Sequence, residues 1–231
     1  MCHPNCVGER PRRDPQLERL QQKVPPWYVP LHLGVTIGLL GGGSIALLAL
    51  LPSGYPPLLA WIAALCVVLA ANFVEYGLHR WPMHRRRRLT QAFFKHHTIA
   101  HHRYFTHDTM AMNDSREVTF VFPSIPVLLA SVAFVLLVLG ALTLTMGTYV
   151  GLFASGVLGL YGILTQVLHL CFHLPDKWMK LPFLRSRLFQ AMKLHHTIHH
   201  DLRMMTKWNF NLGFPICDAL FGTLIWERET K

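Results

Sequence analysis

The stretch that decides the fold runs from residue 57 to residue 84, PLLAWIAALCVVLAANFVEYGLHRWPMH. From Leu58 to Val74 it carries no charge, and it closes with Glu75, His79 and His84. Roughly 20 apolar residues at about 1.5 Å each match a hydrocarbon core of about 30 Å, so Pro57 to Leu78 reads as a membrane-crossing helix. That helix delivers two imidazoles to the water–membrane boundary. Glu75 and His79 stand four apart and share a helical face, and an ionisable group at that depth is costly unless it is paired or used. His79 and His84 would face differently on a straight helix; Pro82 predicts an exit or kink that lets the second imidazole fold back.

Three further stretches have the same character: Leu31 to Leu51, Val121 to Leu142 and Thr148 to Cys171. With 52% of residues hydrophobic and 15% charged, the chain reads as a multi-pass integral membrane protein rather than a soluble enzyme. The first stretch follows a long polar segment without a cleavage pattern, which argues against a signal peptide. All 22 Lys and Arg residues lie before Val24, between Arg80 and Arg116, or after Asp176, and the connections around Ser53 and Thr145 have none. Both termini and the central loop are therefore expected in the cytoplasm, in a bacterial inner membrane. The division this implies is a polar cytoplasmic tail over residues 1–24 and one membrane-embedded domain over residues 25–231.

The net charge of +10 serves as a topology signal and an anchor to anionic headgroups. Arg85 to Arg88 lack the aromatic platform or motif of a nucleic-acid binder, and no nucleic-acid partner is expected. Cys2, Cys6, Cys66, Cys171 and Cys217 form no CxxC pair and suggest no disulfide framework. Cys2, His3 and Cys6 sit in a tail that offers no fixed metal geometry. In the first span Gly34, Gly38 and Gly41 to Gly43 suit close helix packing in lipid.

Ten of the fifteen histidines fall into four spaced clusters: His79/His84, His97/His101/His102, His169/His173 and His196/His199/His200. Two clusters sit in a repeat, Gln91-Ala92-x3-His96-His97-Thr98-Ile99 and Gln190-Ala191-x3-His195-His196-Thr197-Ile198, and the first copy then inserts Ala100 before its histidine pair. On the second copy, positions 196, 199 and 200 share a face and can converge on a metal. On the first, His102 is displaced by roughly a hundred degrees on an ideal helix, and a π-bulge would absorb the extra residue. His169 and His173 stand one turn apart.

Neutral imidazoles suit iron and zinc alike, and ten exceed the ligand set of one tetrahedral ion, so two metals are expected. His32, His96, His107 and His195 read as supporting polar residues. Glu75, Asp201 and Asp218 are the carboxylates that could orient ligands from behind.

These motifs resemble the fatty acid hydroxylase superfamily of membrane di-iron enzymes, which includes fatty acid 2-hydroxylases, sterol oxidases and desaturases, and carotenoid hydroxylases. The resemblance rests on His79-x4-His84, His97-x3-His101-His102, His169-x3-His173, His196-x2-His199-His200, and the segment from Leu212-Gly213-Phe214 to Cys217-Asp218-Ala219-Leu220-Phe221-Gly222-Thr223. It covers about Pro57 to Thr223. The His79-Arg80-x3-His84 box, Met192 to His196 and Arg103-Tyr104-Phe105 lean toward fatty acid 2-hydroxylases. The second cluster has three spacer residues where that pattern usually has two, and Gln166 stands where a carboxylate often precedes the third pair.

The resemblance implies an all-α integral membrane protein of four transmembrane helices, with a cytoplasmic histidine-rich helical cap holding a dinuclear site. It implies two iron ions on the ten clustered histidines, dioxygen as co-substrate, and hydroxylation of a C–H bond in a lipid or fatty acyl chain. Desaturation or methyl oxidation of a sterol, carotenoid or other apolar substrate begins with the same hydrogen abstraction. A zinc- or iron-stabilised scaffold without turnover belongs to a different class. The polar N-terminus is too short for a fused cytochrome b5-like domain, so electrons are expected from a separate protein such as a ferredoxin or a cytochrome b5-type donor. Trp178, Trp208 and Trp226 are expected in the interfacial belt; Phe210, Leu212 and Phe214 either line an acyl tunnel or pack the cytoplasmic cap, and Arg116 either meets a headgroup or carboxylate or serves as a positive-inside anchor.

Overall fold

The computed structural model describes residues 13–227; Cys2, His3 and Cys6 lie outside them. Four helices are long and apolar enough to cross a membrane. After the short α1 (Pro15–Gln22) come α2 (Tyr28–Ala49) and α3 (Leu58–Met83). Next is the broken helix α4, residues 91–104, then α5 (Ile125–Met146) and α6 (Thr148–Phe172). Two cap helices, α7 (Arg187–His199) and α8 (Ile216–Leu220), complete the chain. The third span starts four residues later than its apolar run, because Phe122 turns extended and Pro126 occupies the first turn of α5.

Helix α6 is the hub. Half of its apolar window is buried, against 6% for α5, and it packs on α2, α3 and α5. The exposed faces carry Trp61, Leu65, Leu136, Leu137 and Leu144, apolar surface that requires lipid as its solvent. Gly147, at φ 92, makes the turn from α5 into α6 in one residue. A β-carbon on Gly151 would then lie 2.9 Å from the Thr143 backbone nitrogen, so α5 and α6 meet backbone to backbone. Against α2 the close approach is made by Gly156 and Gly159 of α6, opposite Leu48 and Ser44. Of the glycines expected to do this, Gly41 of α2 is buried with Ile163 of α6 at 3.9 Å from its β-carbon position, whereas Gly34, Gly38, Gly42 and Gly43 have nothing within 4 Å. Composition revealed the small residues of α2 but not the face they occupy.

The cap gathers where α3 and α6 end. Within the stretch read as a polar tail, α1 buries Leu17 with Val29, Tyr104, Phe105 and Val118. Arg13, just ahead of α1, pairs with Glu117 at 2.6 Å, both side chains buried, and its guanidinium lies 4.4 Å above the Tyr104 ring. Arg116, read as a headgroup contact or an anchor, donates to the Gln22 carbonyl and lies 3.8 Å from Asp114.

Because Thr143 backbone cannot retreat as a side chain could, Gly151→Val should cost about 1–3 kcal/mol and lower the thermal midpoint in detergent. Gly42→Ala, in open space, should leave that midpoint unchanged or raise it slightly.

Candidate metal centre

The α-helical ladder of α3 gives way at His79–Met83 to a π-helical turn containing Pro82, whose missing N–H interrupts regular bonding. Helix α4 likewise widens into a π-helix at Lys95–His101, where Ala100 is inserted. An i→i+5 ladder brings residues five apart onto one face. The His79 and His84 rings stack at 5.0 Å with planes 29° apart, and the His97 and His102 centroids lie 4.7 Å apart. Regular α-helix does the corresponding work elsewhere, pairing His169 with His173 and His196 with His200 at four residues.

The result is two buried groups of five: His79, His84, His97, His102 and His199; and His101, His169, His173, His196 and His200. Within each group the candidate ligand atoms lie within 4.8 Å of one another. All ten clustered histidines fall in these two groups; His79/His84 and His169/His173 stay together, whereas the other two clusters are divided. Adjacent His101 and His102 separate, and His199 leaves His196 and His200, because neighbouring positions on a helix face different ways. The groups touch where His102 stacks on His200, centroids 4.2 Å apart. His32, His96, His107 and His195 lie outside both.

Five of the ten donate Nδ1–H to backbone carbonyls: His79 to Phe210, His199 to Trp208, His101 to Phe120, His173 to Met110 and His200 to Phe105. The remaining nitrogen of each is then a bare acceptor. His79 Nε2 nevertheless lies 3.0 Å from His199 Nε2, a contact that two lone pairs cannot make favourably without a cation between them. Burial and neighbouring imidazoles push His84, His97, His101, His102, His173, His196, His199 and His200 well below the ordinary histidine range, into the neutral ligand form. The donor chemistry fits a dinuclear metal site.

The sequence profile of the fatty acid hydroxylase family matches residues 64–223. The chain belongs to that family. Comparison with curated proteins and with solved structures finds no match.

In this fatty acid hydroxylase family member, the carboxylates sit one step behind the carbonyls, and none of the three touches a clustered imidazole. Asp218 accepts from the Phe210 and Asn211 amides, both at 2.8 Å, and from Thr223 Oγ1 at 2.7 Å. Burial works against its charge, but the adjacent His195 imidazole and those amides outweigh it and hold the carboxyl below its ordinary range. Glu75 accepts from Leu212 N at 2.6 Å, Asn211 Nδ2 at 3.2 Å and Tyr161 OH at 3.3 Å. Asn209, at φ 60, donates to the His195 and Ile225 carbonyls. Together these fix the segment whose Trp208 and Phe210 carbonyls hold His199 and His79.

Asp201 serves Arg203, which holds its carboxyl down at about 2. The second group has its own support: Phe105, Met110 and Phe120 lie on the segment that Arg13 and Glu117 clamp. Glu117 also accepts from Tyr104 OH and the Asn113 amide. No sequence motif marks Arg13, Glu117 or Asn209, and carbonyl partners leave no trace in side-chain identity.

A cavity runs from the histidines between α3, α5 and α6. Its inner chamber, about 230 Å³, is lined by Phe93, His97, Phe120, His169 and Gln166; the outer, about 350 Å³, by His79, Val127, Phe134, Leu158 and Gln166. Of the three residues read as tunnel lining or cap packing, Leu212 lines both chambers. Phe210 is fully buried behind His79, and Phe214 lines neither chamber. Trp178 and Trp226 are exposed.

Group membership predicts metal counts. His101→Ala and His102→Ala should each reduce bound metal from about two ions to about one, and their combination should retain almost none. His101→Ala with His200→Ala, within one group, should still retain about one; mass spectrometry of purified protein for metal content reads the difference.

The metal-free protein should be acid-labile. Its unfolded histidines take up protons near the ordinary value of 6.5, which the folded, depressed imidazoles refuse. Stability is then full above that value and declines as pH falls below it, toward the depressed folded values. The thermal midpoint of chelator-treated protein should hold level above about pH 7 and fall steadily from about pH 6.5 to about pH 5.

Proposed function

We propose that this protein is an oxygen-dependent, non-haem di-iron monooxygenase that hydroxylates a C–H bond of a lipid or fatty acyl chain. Among hydroxylases its motifs lean toward the fatty acid 2-hydroxylases. The observation that carries the reading is the cavity: walled by membrane-spanning helices and lined largely by apolar side chains, it offers room for an apolar chain beside His79, His97 and His169. A structural zinc site has no use for such a passage. In this reading the ten clustered histidines are the metal ligands, Glu75 and Asp218 position them through the loop they hold, and Asp201 fixes the chain just beyond His200.

Two iron ions on these nitrogens would supply oxygen activation strong enough to break an unactivated C–H bond. One oxygen atom enters the substrate and the other leaves as water, with two electrons from a separate ferredoxin or cytochrome b5-type protein and two protons. The protein's own work is to position and exclude. Phe93, Phe120, Val127 and Leu158 bind and align an apolar chain and keep water from the reacting carbon. Carbonyl-locked imidazoles keep their lone pairs aimed inward through turnover. The Lys and Arg distribution supports a cytoplasmic location for the cap, both termini and the donor-facing surface, and we take the membrane-embedded domain to begin after residue 24.

Mass spectrometry of lipids from cells expressing the protein, compared with a His102→Ala, His200→Ala variant, should reveal a species heavier by one oxygen. A product lighter by two hydrogens would identify desaturation instead. No change in any lipid, from protein that retains two iron ions, would defeat the reading.

A further inference from the structure

Gln166 lines both chambers of the cavity, on α6, and stands one helical turn before His169. Its amide makes no hydrogen bond with any described residue, although it lies within a membrane span. Of the other polar groups lining the chambers, Ser124 at the start of α5 also keeps its hydroxyl without a cap hydrogen bond, while those deeper in the spans are committed. Glu75 is occupied by Leu212, Asn211, Gly213 and Tyr161, Thr165 Oγ1 donates to the Gly162 carbonyl, and Ser131 Oγ to that of Val127. A primary amide left unpaired in apolar surroundings is costly, and its cost is removed by a ligand group that completes its hydrogen bonds.

The chemistry of that ligand group is narrowed by its surroundings. A glutamine amide donates and accepts but carries no charge. No Lys or Arg lines either chamber, and the acid present is Glu75. A free carboxylate or phosphate brought here would meet no Lys or Arg, would face an acid, and would be drawn to a metal ion held by His79, His97 or His169 rather than to the Gln166 amide. A hydroxyl or an ester or amide carbonyl meets no such penalty. Three residues of α-helix rise about 4.5 Å, so a group held by Gln166 lies within a few bonds of the carbon presented at His169.

We propose that Gln166 is the specificity-determining residue of this cavity, selecting lipids that carry a neutral hydrogen-bonding group, hydroxyl or esterified carbonyl, close to the oxidised carbon. The proposal rests on the cavity being the substrate site, as in the function proposed above.

Binding separates the two ideas, because it does not require turnover. Hexadecan-1-ol, methyl hexadecanoate and hexadecane are presented to the iron-loaded protein at equal mole fraction in detergent micelles, at about pH 8, and affinity is read by displacement of a radiolabelled hexadecan-1-ol tracer. The alcohol and the ester should each bind about tenfold more tightly than the alkane, the scale of one net hydrogen bond. Gln166→Leu should erase that gap without changing the affinity for hexadecane or the metal content. Gln166→Glu, which accepts but does not donate, should keep the alcohol and lose the ester.

Hexadecane binding as tightly as the alcohol and the ester, a gap that survives Gln166→Leu, or no saturable binding by any probe overturns the proposal. Selective binding without any oxygenated lipid in cells would defeat the proposed reaction and leave this inference standing.

Discussion

An imidazole that gives its Nδ1–H to a carbonyl turns a bare lone pair outward at Nε2, and a second such imidazole pointed at the first repels it. His79 and His199 meet in this way at 3.0 Å, with their protons committed to Phe210 and Trp208. Burial denies His199 the alternative of protonation, since a charged imidazole there would be stripped of water. Only cations among the nitrogens turn this repulsion into attraction. The cap of this protein is therefore organised around a constraint that its own side chains leave unsatisfied, and metal binding becomes part of its folding free energy.

Holding nitrogens in that posture falls to the backbone, and the two groups are held by different parts of the chain. The first depends on the segment around Trp208 and Phe210, fixed by Asp218, Asn209 and Glu75. The second depends on the segment from Phe105 to Phe120, fixed by Arg13 and Glu117. In both cases a buried charge fixes a loop, the loop presents a carbonyl, and the carbonyl fixes an imidazole. Because Arg13 comes from ahead of the first span, the second group is completed by the N-terminal end of the described chain and the first by its C-terminal end.

The four spans and the ten histidines were legible in the sequence because both are signals of composition and spacing: apolar runs of membrane length, and imidazoles at intervals that a helix converts into faces. The partition of those histidines was not, since it turns on how helices rotate against one another. His101 and His102 are neighbours in sequence and part company in space for that reason. The small residues of α2 misled for a related one, as a glycine registers in composition without stating whether its face meets a helix or lipid. Arg13 and Glu117 lie far apart in a chain rich in surface cations, and nothing local distinguishes the buried pair from the exposed ones.

The repeat shows how one inserted residue divides the labour. Gln91 to Ile99 and Gln190 to Ile198 share a pattern, yet the first widens into a π-helix at Ala100 and the second remains α-helical. Thr197 spends its hydroxyl on Lys193 within its own helix, whereas Thr98 donates to the Met83 carbonyl at 2.6 Å and lies 3.3 Å from His84 Nδ1. The widened copy is thus bonded to the other widened turn, at the end of α3. Those two π-turns supply the pairs spaced by five, His79 with His84 and His97 with His102, and these four form the first group with His199. Without Ala100, His102 would have no reason to face His97, and the first group would lose the ring through which it stacks on the second.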